Sequence, residues 1–237
     1  MKKRNVIASL VIAGAMCFTS VAGVFAGTFN GVKEDKVEEV TYNFMNETKA
    51  GKYKLANTKQ VKSWVDSKSK MIVVDTMPAG SYGPENGKEG ANGHIPGAIN
   101  AETPMTAKEY TAAQKKTLID QLPTKKVTKT TWSKVSKKTY SKLKKSMRKT
   151  KKVKKGKKKV TYYYKKVVKT STVKDKNYKI VVYCGHIGCA RSHVAAAYLV
   201  SQGYTNVYRY GGGISAWTDA GYPVEGKKAA EPAGSGN

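Results

Sequence analysis

The sequence predicts an α/β protein: a central parallel sheet flanked by helices, carrying a basic β-hairpin insertion. Three observations lead there. Two short runs, Met71 to Val74 and Tyr178 to Tyr183, have the length and composition of strands buried on both faces, and they end in Asp75 and Cys184. Helical patterns alternate with them, as in sheets covered on both sides. Charge is confined as well. The 237 residues hold 44 Lys+Arg against 16 Asp+Glu, a formal +28, yet 22 of the basic residues and no acid fall between Thr124 and Lys174. Outside that span the balance is 22 to 16, only +6, which disfavours a uniformly basic nucleic-acid-binding fold. At 40% hydrophobic residues the chain suits one packed domain and not a multi-span membrane protein.

Taken in order, Lys2, Lys3 and Arg4 precede an uncharged run from Val6 to Ala26. With Val24 and Ala26 at the −3 and −1 positions, residues 1–26 read as a secretory signal peptide. The rival is an uncleaved anchor, since 21 uncharged residues can just span a bilayer. Cleavage removes Cys17 and leaves Cys184 and Cys189 in an extracytoplasmic protein, secreted or attached to the cell envelope, where a disulfide is allowed. Residues 27–51 are polar with little periodicity and read as a leader or linker. The main domain is expected over 52–226, interrupted by the insertion 124–174, with a flexible tail at 227–237.

Within the domain, Asn57 or Thr58 can cap a short helix whose Val61, Trp64 and Val65 share one face. The strand Met71–Val74 follows, then a Gly- and Pro-rich loop from Pro78 to Pro96. Thr106 to Leu122 reads as a helix with Tyr110, Ala113, Leu118 and Leu122 roughly on one side. Lys154 to Lys158 is a plausible turn between Met147–Val153 and Val160–Val168, which makes the insertion a projecting hairpin arm; a disordered tract is the alternative. After the strand Tyr178–Tyr183, a helix covers Ala195 to Val200 with Gly203 as its C-cap. A short strand spans Val207–Tyr210, and Gly211-Gly212-Gly213 opens a last helix bearing Ile214 and Trp217.

The chemistry concentrates where Cys184 leaves its strand into Gly185, His186, Ile187, Gly188, Cys189, Ala190 and Arg191. A cysteine entering a glycine-bearing loop before a helix meets backbone N–H groups and the positive helix end, which favour thiolate over thiol. Arg191 adds a nearby full charge, and the same amides can hold a small anion. Against this stands an inert buried cysteine. Cys189 is a resolving partner for Cys184, a wall of the loop or a structural thiol. Asp75 supports the loop or caps a turn. No cofactor is expected, and two cysteines with three scattered histidines lack metal-ligand spacing.

Gly93-His94-Ile95-Pro96-Gly97-Ala98-Ile99-Asn100 resembles the signature loop of the rhodanese family. Val182-Tyr183-Cys184 with Arg191-Ser192 is similar to that family's active-site strand and loop, and Gly212-Gly213-Ile214-Ser215-Ala216-Trp217 to its closing segment. The resemblance implies sulfurtransferase chemistry. Cys184 would take the outer sulfur of a small donor anion such as thiosulfate, hold it as a persulfide and pass it to a thiol or cyanide-type acceptor. It also implies that His94 braces the loop. Three departures stand out. Cys189 occupies the position, five after Cys184, where the family usually has a basic residue, and the loop is about two residues longer; a second cysteine at this spacing marks a subfamily. Met77 replaces a usual arginine, and Ser81 a usual glutamate before Tyr82. Two rivals remain: thiol–disulfide redox through Cys184 and Cys189, and a catalytically inactive module. The lysine arm, with its Trp132 and Tyr162 to Tyr164, suggests attachment to an anionic cell-wall polymer or lipid surface, with nucleic acid the weaker candidate.

Overall fold

A computed structural model describes residues 28–29, 32–82 and 93–226. The expected signal peptide at 1–26, the tail at 227–237 and loop residues 83–92 lie outside the described residues. No helix among the described residues is long and apolar enough to cross a membrane. The chain divides into a short unit, Met1–Glu39, and a main unit, Val40–Asn237. In the short unit, β1 (Thr28–Phe29) pairs antiparallel with β2 (Val32–Lys33).

A helix, α1 (Glu34–Gly51), occupies most of the segment expected to be a linker. Its sequence is polar and weakly patterned, so its own periodicity does not announce it. From Val40 onward the helix is secured by particular side chains instead: Phe44 lies under the Arg209 guanidinium at 4.5 Å, and Glu47 pairs with the same group. There follow β3 (Lys54–Ala56), α2 (Thr58–Asp66), β4 (Met71–Asp75), α3 (Ala79–Tyr82), β5 (Ile99–Asn100) and α4 (Ala112–Gln121). Asn57 caps α2 with a reciprocal bond to Gln60, as expected from sequence. The helix expected from Thr106 begins only at Ala112, because Thr111 and Gln114 form a second capping box that sets its start.

The insertion comprises β6 (Thr124–Val135), α5 (Lys137–Ser141), β7 (Arg148–Lys155) and β8 (Lys158–Lys174). The expected hairpin is β7–β8, turning at Gly156 with φ +60°, and β6 adds a third antiparallel strand along β8. The arm leaves and re-enters the domain at one point: Thr124 pairs with Lys174, and the Asp175 N–H donates to the Pro123 carbonyl. The chain ends its described course with β9 (Lys179–Tyr183), α6 (Arg191–Ser201), β10 (Val207–Tyr210) and α7 (Gly213–Asp219).

The central sheet is parallel throughout, in the order β3-β10-β9-β4-β5. Ile180 and Val182 of β9 face α4 and α6, packing with Leu118, Ala195 and Leu199. Val181 and Tyr183 face the other layer, with Val61, Ile214 and Trp217. Ile180, Val181 and Val182 are fully buried, at roughly 1.5–3 kcal/mol each, so β9 is anchored from both sides. Chain order reverses direction between β4 and β9. Ligands of open parallel sheets bind at the carboxyl ends of strands beside such a switch point. Asp75 and Cys184 sit there, with Asp75 opposite Tyr183 in register.

Candidate active site

The loop between β9 and α6 is fastened by backbone. The Ile214 N–H donates to the Cys184 carbonyl at 2.9 Å, and the Ser215 N–H to the Gly185 carbonyl at 3.0 Å. Gly213 makes this approach possible: its φ is +62°, and a Cβ there would run into the carbonyl oxygens of both Cys184 and Gly185. His186 accepts the Gly188 N–H on Nδ1 at 3.2 Å, closing the turn around Ile187.

Beneath the strand ends lies a brace. Asp75, 1% exposed, accepts the Met77 N–H at 2.8 Å and is hydrogen-bonded by the Tyr183 side chain. Burial pushes its carboxyl up to about 6, against those two donors, which favour the anion. The Tyr183 hydroxyl also accepts the Ile95 N–H at 3.0 Å, tying the Gly93–Asn100 loop to the site. His94 stacks on Tyr82 with ring centroids 3.8 Å apart, and its Nδ1 meets the Tyr82 carbonyl oxygen at 2.8 Å, the bracing place the resemblance implied.

At the sulfur the structure departs from expectation. Cys184 is 1% exposed, and its thiol donates to the Cys189 carbonyl at 3.2 Å and toward Ser192 Oγ at 3.4 Å. Burial, then the adjoining Cys189 sulfur, push the Cys184 thiol up. The loop amides act instead on the acidity of the other cysteine. The Cys184 thiol beside it, and then the nearby backbone amides of Arg191 and Gly185, bring the Cys189 thiol down to about 5 against its own burial. The first proton of the pair therefore leaves from Cys189. Arg191 is not on Cys184 either: its Nη1 donates across the loop to the Thr103 carbonyl.

The cation that does organise the site is Arg209, which sequence patterning missed because it falls inside a strand. It is fully buried. Its Nε donates to Ser192 Oγ at 3.0 Å and its Nη2 to the Cys189 carbonyl at 3.1 Å, while Nη1 reaches Glu47 at 2.5 Å and the Tyr53 hydroxyl at 3.2 Å. The two nearest acceptors of the Cys184 thiol, the Cys189 carbonyl and Ser192 Oγ, are thus held by one guanidinium, while the His186 carbonyl stands farther off at 3.8 Å. Tyr53 further engages His193 at 2.9 Å, giving that histidine a structural part. A groove of about 350 Å³ runs beside the loop, lined by Ile187, Tyr210, Gly211, Gly212, Thr58 and Phe44 among others.

A rhodanese-like domain model matches residues 57–220, more than half of the chain. The chain belongs to the rhodanese-like family. Rhodanese-like proteins have sulfurtransferase-type function at family level, and the motif order noted from sequence agrees with the matched span. Solved structures with a similar trace include the thiosulfate sulfurtransferase from Pseudomonas aeruginosa, at 14% identity and TM-score 0.42, over 81% of this chain and 23% of that one. A rhodanese-like domain from an Anabaena protein is 18% identical, with TM-score 0.38 over 77% of this chain and 87% of that one. A Rhodopseudomonas palustris protein described as a possible tyrosine phosphatase is 16% identical, with TM-score 0.38 over 78% and 93%.

Proposed function

We propose that this rhodanese-like protein is an extracytoplasmic sulfurtransferase in which Cys184 accepts the sulfane sulfur of a small anionic donor such as thiosulfate and carries it as a persulfide to a thiol or cyanide-type acceptor. One observation supports this above the rest: Cys184 ends the central strand of a parallel sheet at its switch point, immediately before a loop and the eleven-residue helix α6. Because the sulfur is sealed, loading requires the Gly185–Ala190 segment to swing outward. Gly185 and Gly188 flank the exposed Ile187 and supply backbone freedom for that motion. The test is sulfur transfer from thiosulfate to cyanide by the reduced protein, with intact-mass measurement of the loaded state. Cys189→Ser, which keeps Cys184 alone in the loop, should gain one sulfur and Cys184→Ser none. A Cys184→Ser variant that transfers as fast as wild type would refute the assignment.

The lysine arm supports a location at an anionic phosphodiester polymer of the cell envelope. Strand register puts Lys126, Lys134, Lys149, Lys151, Lys158 and Lys166 on one face, and Lys129, Arg148, Lys152, Lys154, Lys159 and Lys165 on the other. A flat lipid surface can meet only one face at a time, whereas a flexible polymer can follow both. Like charges sit directly opposite at Lys129 and Lys169 and at Lys154 and Lys159, a repulsion that bound anions relieve. The aromatic residues are engaged already, with Lys149 over Trp132 at 4.4 Å and Lys134 over Tyr162 at 4.1 Å, which argues against base stacking. Binding to purified glycerol-phosphate polymer should be lost on deletion of residues 124–174 and fall steeply with salt. Equal binding to anionic vesicles would refute the polymer preference.

A further inference from the structure

Two cysteines share one loop, and the fold brings the Cys184 thiol to within 3.2 Å of the Cys189 carbonyl oxygen. Cys184 and Cys189 are the free cysteines among the described residues. The Cys184 thiol donates to the carbonyl of Cys189, close enough for the two thiols to influence each other's acidity, while Arg209 fixes that carbonyl and Ser192 Oγ. The nearby amides of Gly185 and Arg191 favour the anion on Cys189, which is buried in the same loop as Cys184. An external acceptor thiol has to reach an atom that is 1% exposed; Cys189 does not.

We propose that Cys189 resolves the Cys184 persulfide, releasing hydrosulfide and leaving a Cys184–Cys189 disulfide, so that the protein reduces sulfane sulfur at the expense of an external dithiol. The step rests on the persulfide reading of Cys184. The Cys189 thiolate attacks the inner sulfur, Cys184 Sγ; a bond forms between the two cysteine sulfurs, and the bond to the outer sulfur breaks with its electron pair. The outer sulfur departs as HS⁻, carrying the proton it held in the persulfide. It gains two electrons, supplied by the two cysteines as they become a disulfide. A dithiol then reopens the disulfide by exchange and is itself oxidised, which restores both thiols. The net reaction converts sulfane sulfur and a dithiol into hydrosulfide and a disulfide. Short polysulfides and organic persulfides are the donor class that this chemistry suits.

The experiment uses the whole reduced protein under anaerobic conditions with one equivalent of inorganic tetrasulfide and no added thiol. Hydrosulfide is trapped with a bimane, and the protein is alkylated, mapped and weighed. Wild type is expected to release hydrosulfide in a single turnover and to show a Cys184–Cys189 disulfide by peptide mapping. Cys189→Ser and Cys189→Ala, checked for folding by thermal melting, should instead accumulate the Cys184 persulfide and release hydrosulfide on the order of 10²-fold more slowly, as expected when an intramolecular nucleophile is lost. Wild type that holds its persulfide as long as the variants, with no disulfide, would overturn the resolving step and leave the Cys184 carrier standing. Absence of persulfide on Cys184 in every protein, with no disulfide formed, would overturn both.

Discussion

Replacing Arg209 with methionine tests whether the buried guanidinium organises the site. Methionine keeps much of the apolar stem and removes the charge together with four donor contacts, to Glu47, Tyr53, Ser192 and Cys189. Breaking a buried ion pair costs about 3–5 kcal/mol, chiefly because the partner is left uncompensated. Here the low end applies, since Glu47 is 27% exposed and can recover water, and Tyr53 keeps its bond to His193. A loss of about 3 kcal/mol, with a urea slope of about 2 kcal/mol/M, lowers the unfolding midpoint by roughly 1.5 M. Glu47→Leu should cost at least as much, because it strands a fully buried cation. The double variant should cost clearly less than the two singles combined. Freed from Arg209, the Cys189–Ser192 segment should also expose the Cys189 thiol, so alkylation of Arg209→Met at neutral pH should be faster than that of wild type. A midpoint shift below about 0.5 M, with unchanged alkylation, would refute the role given to Arg209.

Other outcomes follow from the same geometry. Asp75 is held near 6 against an ordinary 3.8, so the folded state binds the extra proton between those values and stability falls as pH rises through that window, by up to about 3 kcal/mol; Asp75→Asn should flatten this slope in urea titrations from pH 4 to 7. Alkylation of the reduced protein should proceed at pH 6 through Cys189, and Cys189→Ser should be alkylated more slowly than wild type at that pH. Gly213→Ala should destabilise the domain by more than about 2 kcal/mol in urea melts, through strained φ and collision with the active loop. Joining Pro123 to Asp175 by a short glycine linker should leave the thermal midpoint of the remaining domain nearly unchanged, because their backbones already hydrogen-bond.

Much of the architecture was legible because it rests on local chemistry. The apolar runs of β4 and β9, the Asn57 cap and the turn at Gly156 each declare themselves within a few residues. The three-residue β3 and the two-residue β5 did not, since strands that short carry no period. Helix α1 escaped for a related reason: its polar sequence is secured by Phe44 and Glu47 meeting a residue far along the chain. At the candidate site, position and motif singled out Cys184, Asp75 and His94. The greater acidity of Cys189 was not legible, because it depends on how the loop folds around the two thiols. Nor could Arg209 be singled out from a strand in which alternate residues look equally inward.

The counter-ion of Arg209 stands on a helix that precedes the span matched by the family model. A truncation designed on that boundary would therefore produce a shortened protein with an orphaned cation directly under its reactive segment, and its poor behaviour in solution would be mistaken for intrinsic fragility. Anyone trimming this chain for crystallisation, or grafting it into another scaffold, should carry it from Val40 onward.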